Sequence, residues 1–149
     1  MDAEALLSSF IDRYTPEIAA EARRALERMR ARLPTATQLV YDNYNALVVG
    51  FGTSHKVGDI IVSIALYPRW VTLFFLRGTV LPDPQGLLEG SGSTVRGVRL
   101  QPISRLETPG VGALIDAAVA NAAPLPASGH SPLIIKSISA KQRPRRPKG

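Results

Sequence analysis

The stretch WVTLFFLRGTVLPDPQGLLEGSGSTVRGVRLQ, residues 70–101, decides the fold of this chain. It opens with the run WVTLFFL (70–76), which is rich in β-branched and aromatic residues and too short for an independent helix. About eighteen residues rich in Pro and Gly follow, and residues 95–101 then alternate between polar and apolar types. We predict a strand at 70–76 that is buried on both faces at the centre of the protein, and another strand at 95–101.

Apolar periodicity and helix-start signals place the other elements around this stretch. Thr15-Pro16 and Thr108-Pro109 each set a capping residue before a proline, which marks the start of a helix. The predicted helices cover residues 3–13, 16–32 and about 109–122. The further predicted strands cover residues 38–41, 46–53 and 60–66, with 133–138 as a candidate for one last edge strand.

The connections between neighbouring strands are too short for helical crossovers, so we expect antiparallel pairing. The order of elements predicts an α+β fold: an antiparallel sheet of about five strands, with two N-terminal helices and one C-terminal helix packed on one face. Residues 1–139 form the single predicted domain, and residues 140–149 form a basic, disordered tail. If one edge of the sheet is uncovered, it can pair with the same edge of a second copy, so a homodimer is one expectation.

The positive charge of the chain is concentrated at its C-terminus. The net charge is +6, but without the five tail cations only 13 basic residues face 12 acidic ones. A DNA-binding domain carries its basic footprint on the folded surface, so this distribution disfavours one. Lys141, Arg143, Arg145, Arg146 and Lys148 remain candidates for weak, salt-sensitive and sequence-blind contact with nucleic acid. The tail has no interleaved aromatic residue for base stacking, and a role in solubility explains it equally well.

Composition narrows the possible chemistry. The chain has no cysteine, which excludes disulfides, thiol catalysis and thiolate metal sites. It has no apolar window long enough to span a bilayer, and its acidic N-terminus is unlike a signal peptide, so we expect a cytoplasmic protein without membrane contact. Ser54-His55 suggests a nucleophile and its base, but no carboxylate that would orient the histidine is identifiable, and turn polarity is the commoner explanation. The other histidine, His130, lies in another predicted loop. We predict no catalytic residue, metal or cofactor, and an enzyme is the less favoured class.

The arginine-rich face of the second helix has two interpretations. Arginines recur from Arg23 to Arg32, which would suit a phosphate-binding face. Pairs of Arg23 and Arg30 with Glu27 would instead make it an ordinary solvated surface, which is the commoner case for charged helix faces.

Polar residues cluster where the two strands of the opening stretch end. Successive N–H groups in the Gly-rich turn before Arg96 would form a concave anion nest that this arginine closes, unless the turn is only a flexible connection. The charged residues around it would recognise a small anionic ligand or form an ion-pair network, and Asp83 would also cap its own turn. The candidate ligand residues are Arg77, Asp83, Glu89, Gly90, Ser91, Gly92, Arg96 and Arg99.

The same residues carry a family resemblance. A helical start that ends in a Leu-Pro step, strands leading into residues 66–100, and the motifs LPDP (81–84) and LLEGSG (87–92) with Arg96 resemble the YdhG-like domain of unknown function. The resemblance covers roughly residues 5–122 and implies a compact α+β domain with an antiparallel sheet. Some relatives are described as frataxin-like iron chaperones, a role that needs a ridge of carboxylates, whereas the acids here alternate with arginines from Arg13 onward.

These observations favour a non-catalytic module that binds a small ligand or a protein, with its site at the mouth formed by residues 77–99. The alternatives are nucleic-acid association through the tail and, from the resemblance, intracellular iron binding.

Overall fold

The computed structural model describes residues 1–129 and 132–148, and within them the chain forms three α-helices and six strands. The helices are α1 (Ala3–Ile11), α2 (Pro16–Arg32) and α3 (Pro109–Asn121). The strands are β1 (Thr37–Asp42), β2 (Leu47–Gly52), β3 (Ile60–Leu66), β4 (Val71–Phe75), β5 (Arg96–Arg99) and β6 (Leu133–Ile138). The loop predicted before β6 includes His130 and Ser131, which lie outside the described residues.

The six strands form one mixed sheet in the order β5-β4-β3-β2-β1-β6. The α+β class is confirmed, but the prediction of a purely antiparallel sheet of about five strands is wrong, because β6 pairs with β1 in parallel. The physical reason is the connection: α3 carries the chain from one edge of the sheet back across to the other, which allows a strand to enter parallel to its neighbour.

The predicted central run is displaced from the centre. β4 lies second from the edge, between β3 and β5, and its Phe74 is only partly buried. β3 and β2 occupy the middle, and all seven residues of β3 are buried. Hydrophobicity shows that a strand is covered, whereas its place in the sheet depends on pairings between distant residues. The outer edge of β6 has no strand partner among the described residues, so a homodimer stays a prediction.

One face of the sheet holds the main core. Alternate residues of the middle strands turn toward the helices, since side chains alternate between faces. They pack in a single cluster with apolar residues of all three helices. On the strands this cluster includes Leu47, Val49, Phe51, Val62, Ile64, Leu66, Val71, Leu73 and Phe75. The opposite face carries Thr72 and Arg99.

The two predicted cap signals behave differently. Thr15 accepts a hydrogen bond from the Ile18 N–H at 3.3 Å and caps α2. The side chain of Thr108 makes no cap bond and donates instead to the Arg105 carbonyl at 2.6 Å. Pro109 nevertheless begins α3 at the predicted place, because its fixed φ suits the first helical position.

The arginines of α2 pair with acids on other elements. Arg23 and Arg30 reach α1 and its C-terminal end, while three others reach the α3 side. The pairs are Arg23–Asp12 (2.7 Å), Arg30–Glu4 (2.9 Å), Arg24–Glu107 (2.6 Å), Arg28–Glu107 (2.7 Å) and Arg32–Asp116 (2.8 Å). None of the ion pairs in residues 1–129 and 132–148 involves Glu27, since partners on both flanking elements lie within reach. The arginine face therefore joins α2 to its neighbours.

The C-terminal segment (residues 140–148) is not free in solution, although it carries no regular secondary structure. Arg145 is only 4% exposed, and its Nη2 lies 2.9 Å from Asp42 Oδ1, in a pair whose side chains are both 2% exposed. The same guanidinium donates to the Asn43 carbonyl and lies 5.8 Å from the Tyr14 ring centre. Composition predicts disorder for this segment and gives no sign of the burial of Arg145, because the pairing with Asp42 joins residues far apart in the chain.

Removal of Arg145 is expected to destabilise the fold, because the buried Asp42 carboxylate would lose its closest cation and keep only Arg13, whose Nη1 lies 3.7 Å from Oδ2. For Arg145→Ala we expect a loss of about 3–5 kcal/mol in the free energy of unfolding, measured by urea denaturation. Lys148→Ala removes a neighbouring exposed cation and is expected to change it by less than about 0.5 kcal/mol. Equal effects of the two substitutions would show that the buried pair does not hold the segment.

The pairing of Glu107 makes a second, pH-dependent contribution to stability. The hydrogen bond from Arg24, and the charges of Arg24 and Arg28, lower the pKa of this carboxyl. Its folded pKa is therefore below its unfolded pKa of about 4.3, so the stabilisation is present above that value and is lost as the pH falls through the folded pKa. The free energy of unfolding of Glu107→Gln should fall less than that of the wild type between about pH 5 and pH 3. Glu27→Gln is the control, and a wild-type slope in Glu107→Gln would contradict the assignment.

Candidate functional site

The predicted mouth is divided between the two ends of the sheet. Arg77 follows β4 and Arg96 begins β5, and the two lie at the same end because the strands are antiparallel. Arg99 lies at the other end, beside Thr72, three residues from Arg96 along β5 or about 10 Å at 3.4 Å per residue. None of the ion pairs found in the described part of the chain joins two of the predicted ligand residues.

Arg96 is occupied by its own loop. Its Nη1 donates to the carbonyls of Gly92 at 2.6 Å and Val95 at 2.7 Å. The loop, with the exposed residues Gly90 and Ser91, thus turns carbonyl oxygens toward the guanidinium. An anion nest would require N–H groups in this position. Loop carbonyls therefore accept the hydrogen bonds of Arg96 that the predicted anion would have accepted.

Asp83 and Glu89 organise the long crossing between β4 and β5. The Asp83 carboxylate accepts hydrogen bonds from the N–H groups of Leu87 at 2.8 Å and Leu88 at 2.9 Å, as the turn-cap alternative predicted. The backbone of Glu89 exchanges two hydrogen bonds with Gly97, at 2.8 and 2.9 Å. Both residues therefore have structural roles, and Glu89 covers part of the outer edge of β5.

Arg77 borders a cavity, and it is the only residue of the cavity wall among the ligand candidates predicted from the sequence. The cavity has a volume of about 120 Å³ and lies beyond the ends of β2, β3 and β4, next to the C-terminal end of α3. Its apolar walls include Ile60, Ile61, Phe75, Val80, Leu81, Ala118, Ala122 and Ala123. Its polar wall consists of Thr53, Asp59, Arg77 and Asn121.

The polar wall of the cavity has charges of opposite sign. Arg77 is exposed and makes no ion pair or side-chain hydrogen bond within residues 1–129 and 132–148, so its guanidinium is available. Asp59 is held in place by Ser54, whose hydroxyl donates to its Oδ2 at 2.6 Å. Asn121 ends α3, which has no basic residue in its last turn to offset the partial negative charge of the helix C-terminus.

The hypothesis of a Ser54–His55 nucleophile and base has no geometric basis, because the Ser54 hydroxyl is directed to Asp59. His55 is exposed, and its carbonyl accepts a hydrogen bond from the Lys136 ammonium group at 3.2 Å. The contributions of Asp59 and Asn121 to the cavity were missed. No local pattern predicts them, since they come from a loop and a helix end that meet only in the fold.

The five tail cations have different surroundings. Arg145 is buried, Arg146 donates to the Arg13 carbonyl at 3.1 Å, and the Arg143 guanidinium lies 5.6 Å from the Tyr44 ring centre. Lys141 and Lys148 are exposed. The tail thus supplies at most four surface cations, and one of them lies over an aromatic ring.

No three His, Cys, Asp or Glu side chains in residues 1–129 and 132–148 form a group that could hold a metal ion. In the same residues, no helix has the length and apolarity needed to cross a membrane.

No model of a known family, no curated protein and no solved structure matches this chain. The YdhG-like resemblance of residues 5–122, and the iron-binding role that it implies, therefore stay predictions from the sequence motifs.

Proposed function

We propose that this chain is a non-catalytic binding domain that holds a small anionic molecule with a short apolar body in the cavity beside Arg77. The observation that carries the proposal is a single unpaired guanidinium at the edge of an otherwise largely apolar cavity of about 120 Å³. The proposed location is the cytoplasm, on the sequence grounds given above.

The chemistry of the walls supports this class of ligand. Buried apolar side chains such as Phe75 and Leu81 suit the short apolar body of the ligand. Arg77 presents a planar fork of donors that suits the two oxygens of a carboxylate or phosphate. The cavity volume of about 120 Å³ is below the roughly 300–1,000 Å³ of sites for drug-sized ligands, which favours a small molecule such as a short-chain carboxylate.

The opposite wall makes the site selective for shape and charge. Asp59 and the C-terminus of α3 are electronegative, so the anionic group is expected to bind on the Arg77 side. Binding is favoured over catalysis because, among the described residues of the cavity wall, Asp59 is the only candidate base and it already accepts a hydrogen bond from Ser54.

Short-chain carboxylates test the proposal. With acetate, propionate, butyrate and inorganic phosphate in turn, we expect one of them to raise the Tm of the wild type by roughly 5–10 °C at a hundredfold excess over its Kd. Arg77→Ala should abolish this shift, and Ala118→Leu should reduce it by filling the apolar wall. Arg96→Ala is the matched control, because its guanidinium is bound by loop carbonyls outside the cavity.

Native mass spectrometry of the gently purified protein checks the same site independently. A retained small molecule that is lost from Arg77→Ala but kept by Arg96→Ala would support the cavity. If none of the four anions stabilises the wild type and no small molecule is retained, or if the two arginine variants behave alike, the proposal is wrong.

A further inference from the structure

The end of the sheet opposite the cavity carries a row of aromatic and arginine side chains, called here the arginine–aromatic rim: Tyr44, Tyr67, Trp70, Arg99 and Arg143. These residues come from three turns or strand ends and from the C-terminal segment, and the fold brings them to one end. The cavity beside Arg77 lies at the other end, so the rim is a separate surface.

Three residues form one half of the rim. The Arg99 guanidinium lies 3.7 Å from the centre of the Trp70 ring, which is contact distance for a cation over an aromatic face. The Tyr67 and Trp70 rings are 6.1 Å apart and tilted by 39°, and the Tyr67 N–H donates to the Trp70 carbonyl at 2.9 Å. Arg99 is exposed and the two aromatic residues are half-buried, so this part of the rim is partly open to solvent.

The C-terminal segment builds the other half. Its Arg143 N–H donates to the Tyr44 carbonyl at 2.9 Å, and the guanidinium lies over the Tyr44 ring. Tyr44 is 43% exposed, so this stacked pair is open to solvent. The anchor of Arg145 on Asp42 holds the segment in this place.

The charge at this end is positive. Arg69, in the turn before Trp70, and Arg99, Arg105 and Arg143 make no ion pair among the described residues. Arg105 lies close to the rim, because its Nη1 donates to the Arg99 carbonyl at 2.8 Å. The nearby buried carboxylate of Asp42 is neutralised by Arg145. An anionic partner therefore complements this end.

We propose that the arginine–aromatic rim binds single-stranded nucleic acid. Flat rings and guanidinium planes stack on unpaired bases, while arginines contact the phosphates. The rim extends across the strands from β5 to β1, four steps of about 4.8 Å or roughly 19 Å in total, which suits an extended strand. A duplex hides its base faces, and an acidic protein or lipid surface makes no use of the alternation of rings and cations.

The test uses the only tryptophan of the chain, Trp70, as a probe inside the proposed site. Titration of the full-length protein with a deoxythymidine oligonucleotide of about twelve nucleotides should quench its fluorescence to saturation, with a Kd that rises with salt. Arg99→Ala should weaken binding about tenfold. Arg96→Ala removes the same charge from the other end of β5 and should leave the Kd within about twofold.

Tyr44→Ala keeps the proposal testable if Arg99→Ala fails to fold, since Tyr44 is 43% exposed and lies outside the core. Measured by the anisotropy of the labelled oligonucleotide, it should weaken binding by at least about fivefold. No quenching, equal losses in Arg99→Ala and Arg96→Ala, equally tight binding of the duplex, or a response only to anionic lipid vesicles or an acidic peptide would each overturn the proposal. None of these outcomes bears on the cavity.

Discussion

The buried carboxylate of Asp42 is the constraint on which the closure of this fold depends. It lies at the end of β1 with almost no contact with water, where an isolated charge is costly. Arg145, 103 residues later in the chain, supplies the buried cation, and Arg13 lies 3.7 Å from the other carboxylate oxygen. Tyr14 completes the same region, since its buried hydroxyl donates to the Leu66 carbonyl and accepts from the Leu47 N–H. Burial raises the pKa of this phenol, in keeping with a neutral hydrogen-bonding role.

This requirement has consequences beyond stability. The C-terminal segment has the composition of a flexible tail, but it packs against the domain. Arg143, two residues before Arg145, therefore lies over the Tyr44 ring. The surface proposed for nucleic acid thus depends on a buried ion pair that takes no part in it. On the helix side, the arginines of α2 are paired with acids of adjacent elements, so the cations that lack an ion pair in the described part of the chain lie mainly on the loops, the sheet ends and the C-terminal segment.

Antiparallel pairing separates the two proposed sites. Arg77 follows the end of β4 and Arg99 ends β5, and the two lie at opposite ends of the sheet because these strands run in opposite directions. One end combines Arg77 with apolar walls that enclose a small volume, and the other presents rings and guanidinium groups on an open surface. The first arrangement suits a small ligand and the second an extended polymer, so the two proposals use different physical properties of the same sheet.

The sequence by itself determined the element types and most of their boundaries, because apolar periodicity, turn residues and proline positions are local signals. It predicted α2 at 16–32, the strand at 60–66 and the capping role of Asp83, and it marked Arg77 and Arg99 as notable. It did not determine the parallel entry of β6, the burial of Arg145 or the stacking of Arg99 on Trp70. The last two features join residues far apart in the chain, and the first depends on the edge of the sheet at which the connection through α3 ends. Only tertiary packing decides such contacts.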